Sequence, residues 1–125
     1  MRKNLRIMVI DDENIVGKRL KPALEKNGDV VETFTDAREA LERFNEQHFD
    51  IVVSDIRMDD IDGLEVLEQV LARSERTKVI IITGYATVEV AQEALVKGAF
   101  DFIAKPFKPD DLRKIIEKAA KELGT

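Results

Sequence analysis

Acidic, hydroxyl and basic side chains stand at the ends of the apolar runs of this sequence. There are four such ends, and they carry Asp11 with Asp12, then Asp55, then Thr83, then Lys105 with Pro106. If the runs are parallel strands of one sheet, their carboxyl ends meet at one edge, and these side chains lie close together. Neighbouring carboxylates repel one another unless a cation lies between them, and all-oxygen ligands suit Mg²⁺ or Mn²⁺. The pattern therefore predicts a site that binds a divalent cation and takes up a phosphoryl group.

Each of these residues also has an ordinary structural explanation when it is considered alone. Acidic pairs such as Asp11 and Asp12 are common in solvated turns, and Asp55 can cap the segment that follows it. Lysine is mostly a surface residue, and a single threonine indicates nothing. It is the shared position at strand ends that favours the functional interpretation.

Apolar runs alternate with amphipathic segments along the chain, which predicts five strands and five helices. The predicted strands are 5–10, 30–34, 50–55, 78–82 and 101–104, and the predicted helices are 13–27, 36–44, 63–71, 87–97 and 109–123. Asp36 with Glu39 has the pattern of a capping box, and Gly98 that of a helix end. Pro22 lies inside the first helix, where we expect a kink or a local irregularity. Strict alternation implies a parallel sheet with helices on both faces.

The composition is that of an ordinary globular domain. At 125 residues, with 44% hydrophobic and 36% charged residues, the chain has the size of one domain covering residues 1–125. A net charge of −5 argues against direct nucleic-acid binding. Without cysteines it has no disulfide or thiolate metal site, and no apolar run has the length of a membrane span or signal peptide. We expect a cytoplasmic location, and a solvated basic edge at Arg2, Lys3 and Arg6.

A known family shows the same combination of residues. Asp11-Asp12, Asp55, Thr83 and Lys105-Pro106-Phe107 together resemble the receiver domain of two-component response regulators, and the resemblance covers essentially the whole chain. The segments 83–87 and 98–102 are similar to receivers of enhancer-binding transcription activators. The resemblance implies a flavodoxin-like (βα)5 fold: a doubly wound parallel five-stranded sheet of order 2-1-3-4-5 in three α/β/α layers, a fold for which a chemotaxis receiver is a standard example.

The resemblance also implies a role for each residue of the phosphoryl site. Asp55 would be the nucleophile that accepts a phosphoryl group from a sensor histidine kinase or a phosphotransfer protein. Lys105 would pair first with Asp55 and then with a phosphoryl oxygen, and Thr83 would bind another phosphoryl oxygen. The domain would act as a signalling module and not as a metabolic enzyme, although it would catalyse its own phosphotransfer and dephosphorylation.

The implied cofactor is Mg²⁺ or Mn²⁺. Asp12 and Asp55 would bind the ion directly, together with the backbone carbonyl of Arg57, and Asp11 would hold it through water. The family has no further cofactor at this site.

The resemblance further implies a conformational switch. Thr83 would move toward the phosphoryl group, and Phe102 would rotate inward, which would alter the surface formed by the fourth helix, the fifth strand and the last helix. That surface would act on an output domain in cis or form a homodimer after phosphorylation. We expect Arg57 and Tyr85 to shield the acyl phosphate from water.

The sequence departs from the family pattern at three positions. Asp59 stands where proline is usual, Gly84 where alanine is commoner, and Pro22 lies within the first helix. None of them belongs to the phosphorylation machinery.

The sequence disfavours three other functions. A phosphatase of the haloacid dehalogenase type would carry Asp-x-Asp, but the residue two after Asp55 is Arg57. A flavodoxin-like cofactor binder would need a loop rich in Ser, Thr or Gly after the first strand, where residues 12–14 are Asp-Glu-Asn. A degenerate receiver that binds partners without phosphorylation is disfavoured, since all of the key positions are filled.

Overall fold

The computed structural model describes residues 2–57, 61–84 and 88–124. Within these ranges, five strands alternate with five helices in the order that the sequence predicted. The strands are β1 (Arg6–Ile10), β2 (Val30–Phe34), β3 (Ile51–Asp55), β4 (Lys78–Thr83) and β5 (Asp101–Ala104). The helices are α1 (Asn14–Glu25), α2 (Ala37–Glu46), α3 (Gly63–Arg73), α4 (Val88–Val96) and α5 (Pro109–Glu122).

All neighbouring strands of the sheet are parallel, and their order is β2-β1-β3-β4-β5. The predicted flavodoxin-like fold and strand order are therefore confirmed. The order reverses direction beside β1, because β2 lies on one side of it and β3 on the other. A crevice beyond the carboxyl ends of β1 and β3 follows from this reversal, and ligands of such sheets bind there.

Two buried apolar clusters cover the two faces of the sheet and give the three layers. Met8 and Ile10 face the cluster formed with α2, α3 and α4, whereas Ile7 and Val9 face the cluster formed with α1 and α5. This alternation follows from the two-residue period of a strand. Because both faces are covered, the central strands are apolar on both sides, which is why they read as continuous apolar runs.

Local sequence signals set the helix ends. The Asp36 carboxylate accepts hydrogen bonds from the backbone N–H groups of Arg38 at 2.8 Å and Glu39 at 3.4 Å, so it caps α2 and forms the Asp36 half of the predicted capping box. Gly98 has a φ of 109°, a conformation that favours glycine, and it follows α4. Pro22 does not interrupt α1, which continues to Glu25. Pro22 is exposed, so water can reach the carbonyl that proline leaves without a partner.

The N-terminal basic residues do not all form a solvated edge, so that expectation was wrong for Arg2. Its guanidinium forms two hydrogen bonds of 2.8 Å with the carboxylate of Asp29, and its Nε donates to both carboxylate oxygens of Glu117 at 3.0 and 2.9 Å. Asp29 is buried and also accepts the backbone N–H of Leu5 at 2.8 Å. A buried carboxylate needs a cationic partner, and Arg2 supplies it. Among the described residues, no helix is both long enough and apolar enough to cross a membrane.

Candidate functional site

Strand register brings the acidic residues to one level of the sheet. Ile10 of β1 lies opposite Ser54 of β3, so the next residues, Asp11 and Asp55, are level with each other. One carboxylate oxygen from each of Asp11, Asp12 and Asp55 lies within 4.8 Å of the others. Asp11 and Asp55 are buried, with 2% and 6% of their surface exposed, whereas Asp12 is exposed. The sequence therefore predicted correctly that these three acids lie together.

The same ladder continues through β4 and β5. Asp55 lies opposite Ile82, which places Thr83 one residue beyond the level of Asp55 on the neighbouring strand. Thr83 is fully buried and lies opposite Ala104. The backbone N–H of Lys105 donates to the carbonyl of Thr83 at 2.8 Å, so the pairing extends one residue past β5. The peptide bond between Lys105 and the following proline is cis.

The ammonium group of Lys105 lies among three carboxylates. Its Nζ is 2.8 Å from Oδ2 of Asp11, 3.1 Å from Oδ2 of Asp55 and 3.0 Å from Oε1 of Glu13. The contacts with Asp55 and Glu13 are hydrogen bonds, and the contact with Asp11 is an ion pair without hydrogen-bond alignment. The prediction from sequence paired Lys105 with Asp55 but missed Glu13. Glu13 directly follows Asp12 in the loop at the same sheet edge, and this position in the sequence could have identified it.

The pKa values of Asp11 and Lys105 are both raised in the site. Burial raises the pKa of the Asp11 carboxyl, and the nearby Asp55 charge adds to the rise, while Lys105 and the Glu13 N–H partly offset it. Burial alone would lower the pKa of Lys105, but its contacts with Asp11, Glu13 and Asp55 outweigh burial and raise it. Lys105 is therefore a cation at neutral pH, and it balances part of the negative charge of the acids.

Backbone groups hold Asp55 in place. Its Oδ1 accepts the N–H of Arg57 at 3.3 Å, and its carbonyl accepts the hydroxyl of Ser54 at 3.0 Å. The backbone of Gly63 packs directly against it, since a Cβ at Gly63 would lie 2.3 Å from the Asp55 carbonyl oxygen and 2.7 Å from the Ile56 Cα. This position admits no side chain, because both neighbouring atoms belong to the backbone.

We expect Gly63→Ala to lower the free energy of unfolding by about 2 kcal/mol, because the new methyl group displaces the backbone that carries Asp55. Urea unfolding followed by circular dichroism measures this change. Gly84→Ala is the matched control, since a Cβ at Gly84 would meet no atom of the described residues within 4 Å. Equal stability of the two variants would contradict the proposed close approach.

The donor set suits a divalent metal ion. Three carboxylates converge, all with oxygen ligands, and Oδ2 of Asp11 is buried without a hydrogen-bond donor among the described residues. The Lys105 ammonium, 2.8 Å from this oxygen, offsets one of the three negative charges, and a bound cation would offset the others. The ligands and their charge fit a hard cation such as Mg²⁺, and they offer no nitrogen or sulfur ligand to a softer one.

The residues predicted to act in switching and tuning are only partly described. Phe102 is half-buried, and it packs against the apolar cluster on the side of α2, α3 and α4. Arg57 is exposed. Tyr85, and Asp59 in the loop after β3, lie outside the described residues.

Comparison with protein families decides what kind of domain this is. Residues 7–117 match the family described as the response regulator receiver domain. The chain belongs to this family. Receivers are the signalling modules of two-component systems, so the family predicted from the sequence is confirmed.

Relatives and solved structures agree with this assignment. The receiver is 41% identical over 114 residues to the regulatory protein AtoC of Escherichia coli strain K12, covering 91% of this chain and 25% of AtoC. It therefore spans about a quarter of that relative's length. The CheY-like receiver of Methanospirillum hungatei JF-1 superposes with a TM-score of 0.92 at 32% identity, covering 98% of both chains. The beryllofluoride-activated NtrC4 receiver domain dimer superposes with a TM-score of 0.89 at 34% identity, covering 94% of this chain and 98% of that chain.

Proposed function

We propose that this receiver accepts a phosphoryl group on Asp55 in a Mg²⁺-dependent reaction, and that residues 1–125 form one receiver domain. The observation that carries the proposal is the position of the Asp55 carboxylate. It lies 3.1 Å from the Lys105 ammonium, and its oxygens also approach those of Asp11 and Asp12. A nucleophile, a cation for phosphoryl oxygens and a group of metal ligands thus occupy one sheet edge.

The transfer forms one bond and breaks one. A carboxylate oxygen of Asp55 attacks phosphorus, and the P–N bond of a phosphohistidine breaks, so that the electron pair stays on the imidazole nitrogen. With acetyl phosphate the broken bond is P–O, and acetate leaves. Reversal of the signal is hydrolysis: water attacks phosphorus, the acyl phosphate breaks, and the Asp55 carboxylate and inorganic phosphate result. The domain thus catalyses its own phosphotransfer and dephosphorylation while it serves as a signalling module.

Charge and position account for most of the catalysis of such a transfer. Lys105 binds a phosphoryl oxygen and offsets its charge, and the Thr83 hydroxyl binds another oxygen. Asp12 and Asp55, with the backbone carbonyl of Arg57, would hold Mg²⁺ or Mn²⁺, and Asp11 would assist from its buried position. When bound, the ion would offset the charge of the carboxylates and of the phosphoryl oxygens.

The phosphoryl group then shifts an existing equilibrium between two conformations. Thr83 moves toward the phosphoryl group, and Phe102 turns inward from its half-buried position. The surface of α4, β5 and α5 changes as a result. Arg57 and Tyr85, each two residues after a phosphoryl-binding residue, shield the acyl phosphate from water.

The partners follow from this chemistry and from the relatives. A sensor histidine kinase or a phosphotransfer protein donates the phosphoryl group. An output domain in cis is supported by the greater length of AtoC, and a dimer after phosphorylation by the activated dimer of the NtrC4 receiver. A cytoplasmic location and the absence of direct nucleic-acid binding by this domain belong to the same proposal.

The test is incubation with acetyl phosphate and Mg²⁺, followed by mass spectrometry of the intact protein. We expect a mass gain of one phosphoryl group, because Asp55 is the nucleophile and the ion neutralises the site. We expect no mass gain when a chelator removes the ion, and we expect the mass gain to return when Mg²⁺ is restored. An unmodified protein with Mg²⁺, or an equal gain without it, would refute the proposed function.

A further inference from the structure

The exposed carboxylate of Glu13 is bound to the ammonium group of Lys105. The two residues are 92 positions apart in the chain, and their side chains form a hydrogen bond of 3.0 Å. The Glu13 side chain is 62% exposed, whereas the side chains of Asp11 and Asp55 are 1% and 8% exposed. Glu13 is thus the outermost of the three acids around this ammonium, and it is not part of the Asp11, Asp12 and Asp55 group.

The backbone of Glu13 is fixed at the start of α1. Its N–H donates to Oδ1 of Asp11 at 2.8 Å, and its carbonyl accepts the N–H of Val16 at 3.0 Å. Glu13 and Lys105 both line a surface groove of about 380 Å³, which Ile15 and Phe107 also line. The Glu13 side chain therefore reaches Lys105 at the groove that adjoins the phosphoryl site.

An ammonium group has three N–H donors, and here two of them bind Glu13 and Asp55 while Asp11 lies 2.8 Å away as an ion pair. Phosphoryl uptake on Asp55 requires Lys105 to direct a donor at an incoming oxygen. Breaking a contact with a buried carboxylate is costly, whereas an exposed ion pair is weak. The contact with Glu13 is therefore the one that has to yield.

We propose that Glu13 is a positioning residue that draws Lys105 toward the outer side of the acidic site and thereby slows phosphoryl uptake, an inference that rests on the proposed function of Asp55. Two effects act in the same direction. Glu13 competes with the phosphoryl oxygens for the Lys105 ammonium, and its negative charge repels an anionic phosphoryl donor.

Glu13→Gln tests this proposal, because it removes the charge and preserves the size of the side chain. With acetyl phosphate and saturating Mg²⁺, we expect the initial rate of phosphorylation to rise about two- to five-fold, the range that loss of an exposed ion pair allows. Glu42→Gln removes an exposed charge from α2, away from the site, and should leave the rate unchanged. A Glu13→Gln rate equal to or below that of the native protein would overturn the proposal.

A second readout does not depend on phosphorylation. In the metal-free protein, the ¹⁵N resonance of the Lys105 ammonium should shift in Glu13→Gln and stay in place in Glu42→Gln. An unshifted resonance in Glu13→Gln would overturn the contact itself. If the native protein took up no phosphoryl group, the proposed function would be refuted, and the kinetic role of Glu13 with it. A shifted Lys105 resonance in Glu13→Gln would then show that the contact between the two side chains still exists.

Discussion

Asp55→Asn should reduce phosphoryl uptake from acetyl phosphate at least about a hundred-fold, because an amide oxygen is a poor nucleophile for phosphorus. The substitution keeps the size of the side chain, and its Oδ1 can still accept the N–H of Arg57. It also removes one negative charge from the group of Asp11, Asp12 and Asp55. We therefore expect a folded variant with stability equal to or above that of the native protein.

The measurement is the extent of the phosphoryl adduct over time by intact-protein mass spectrometry with Mg²⁺. Asp50→Asn is the matched control, because Asp50 precedes the same strand at the opposite edge of the sheet. Its Oδ2 accepts the N–H of Arg6 at 2.9 Å, a role for which the asparagine oxygen suffices. Uptake by Asp50→Asn should match that of the native protein. An undiminished adduct on Asp55→Asn would mean that another side chain is the acceptor.

The position of Asp55 could be predicted because it depends on strand patterns alone. Residues 51–53 are apolar, and a strand buried on both faces requires apolar residues throughout, so its end is visible in the sequence. The same reasoning located the ends that carry Asp11, Thr83 and Lys105. Alternation of strands and helices restricts the topology but does not fix the strand order, which came from the resemblance to receivers.

The contacts of the site were harder to predict, because they depend on the paths of loops. The bond between Glu13 and Lys105 joins residues 92 positions apart through an exposed, flexible side chain, and no sequence period links them. Gly63 was predicted as the start of a helix, which it is. Its close approach to the Asp55 carbonyl follows from the return of the chain after β3. The sequence shows a glycine there but not the atom that excludes a side chain.

Arg2 illustrates a different limit of prediction from sequence. A charged residue near the start of a chain is most often solvated, so the expectation of a solvated edge was reasonable. The structure instead pairs it with the buried Asp29, whose carboxylate also holds the backbone of Leu5. The need for that cation arises only when Asp29, which precedes β2, is buried, and that burial is a tertiary effect.

Lys105→Met should lower the free energy of unfolding of the metal-free protein by about 3 kcal/mol at neutral pH, because two buried carboxylates lose the ammonium between them. Lys105 lies 2.8 Å from Asp11 and 3.1 Å from Asp55, and methionine preserves most of its apolar stem. The same variant should lose most of its phosphoryl uptake, since no ammonium remains to bind a phosphoryl oxygen.

The loss of stability should depend on pH with a definite sign. Burial already raises the pKa of Asp11 in the native protein, and removal of Lys105 raises it further, since Lys105 lowers it. A carboxyl whose pKa is higher in the folded than in the unfolded state destabilises the fold above the folded pKa. The deficit of Lys105→Met should therefore shrink as the pH falls through that value. Adding Asp11→Asn to the variant should recover part of the lost stability at neutral pH.

A bound divalent cation should replace the missing charge. We expect Mg²⁺ to raise the melting temperature of Lys105→Met more than that of the native protein, because ligand binding stabilises the folded state in which the carboxylates converge. Lys78→Met is the control: Lys78 pairs with Glu122 at 3.5 Å, at the start of β4. Lys78 is half-buried but Glu122 is 61% exposed, so we expect this pair to contribute less than about 1 kcal/mol. If Lys105→Met lost no more stability than Lys78→Met in the absence of Mg²⁺, Lys105 would not be the cation that holds these acids together.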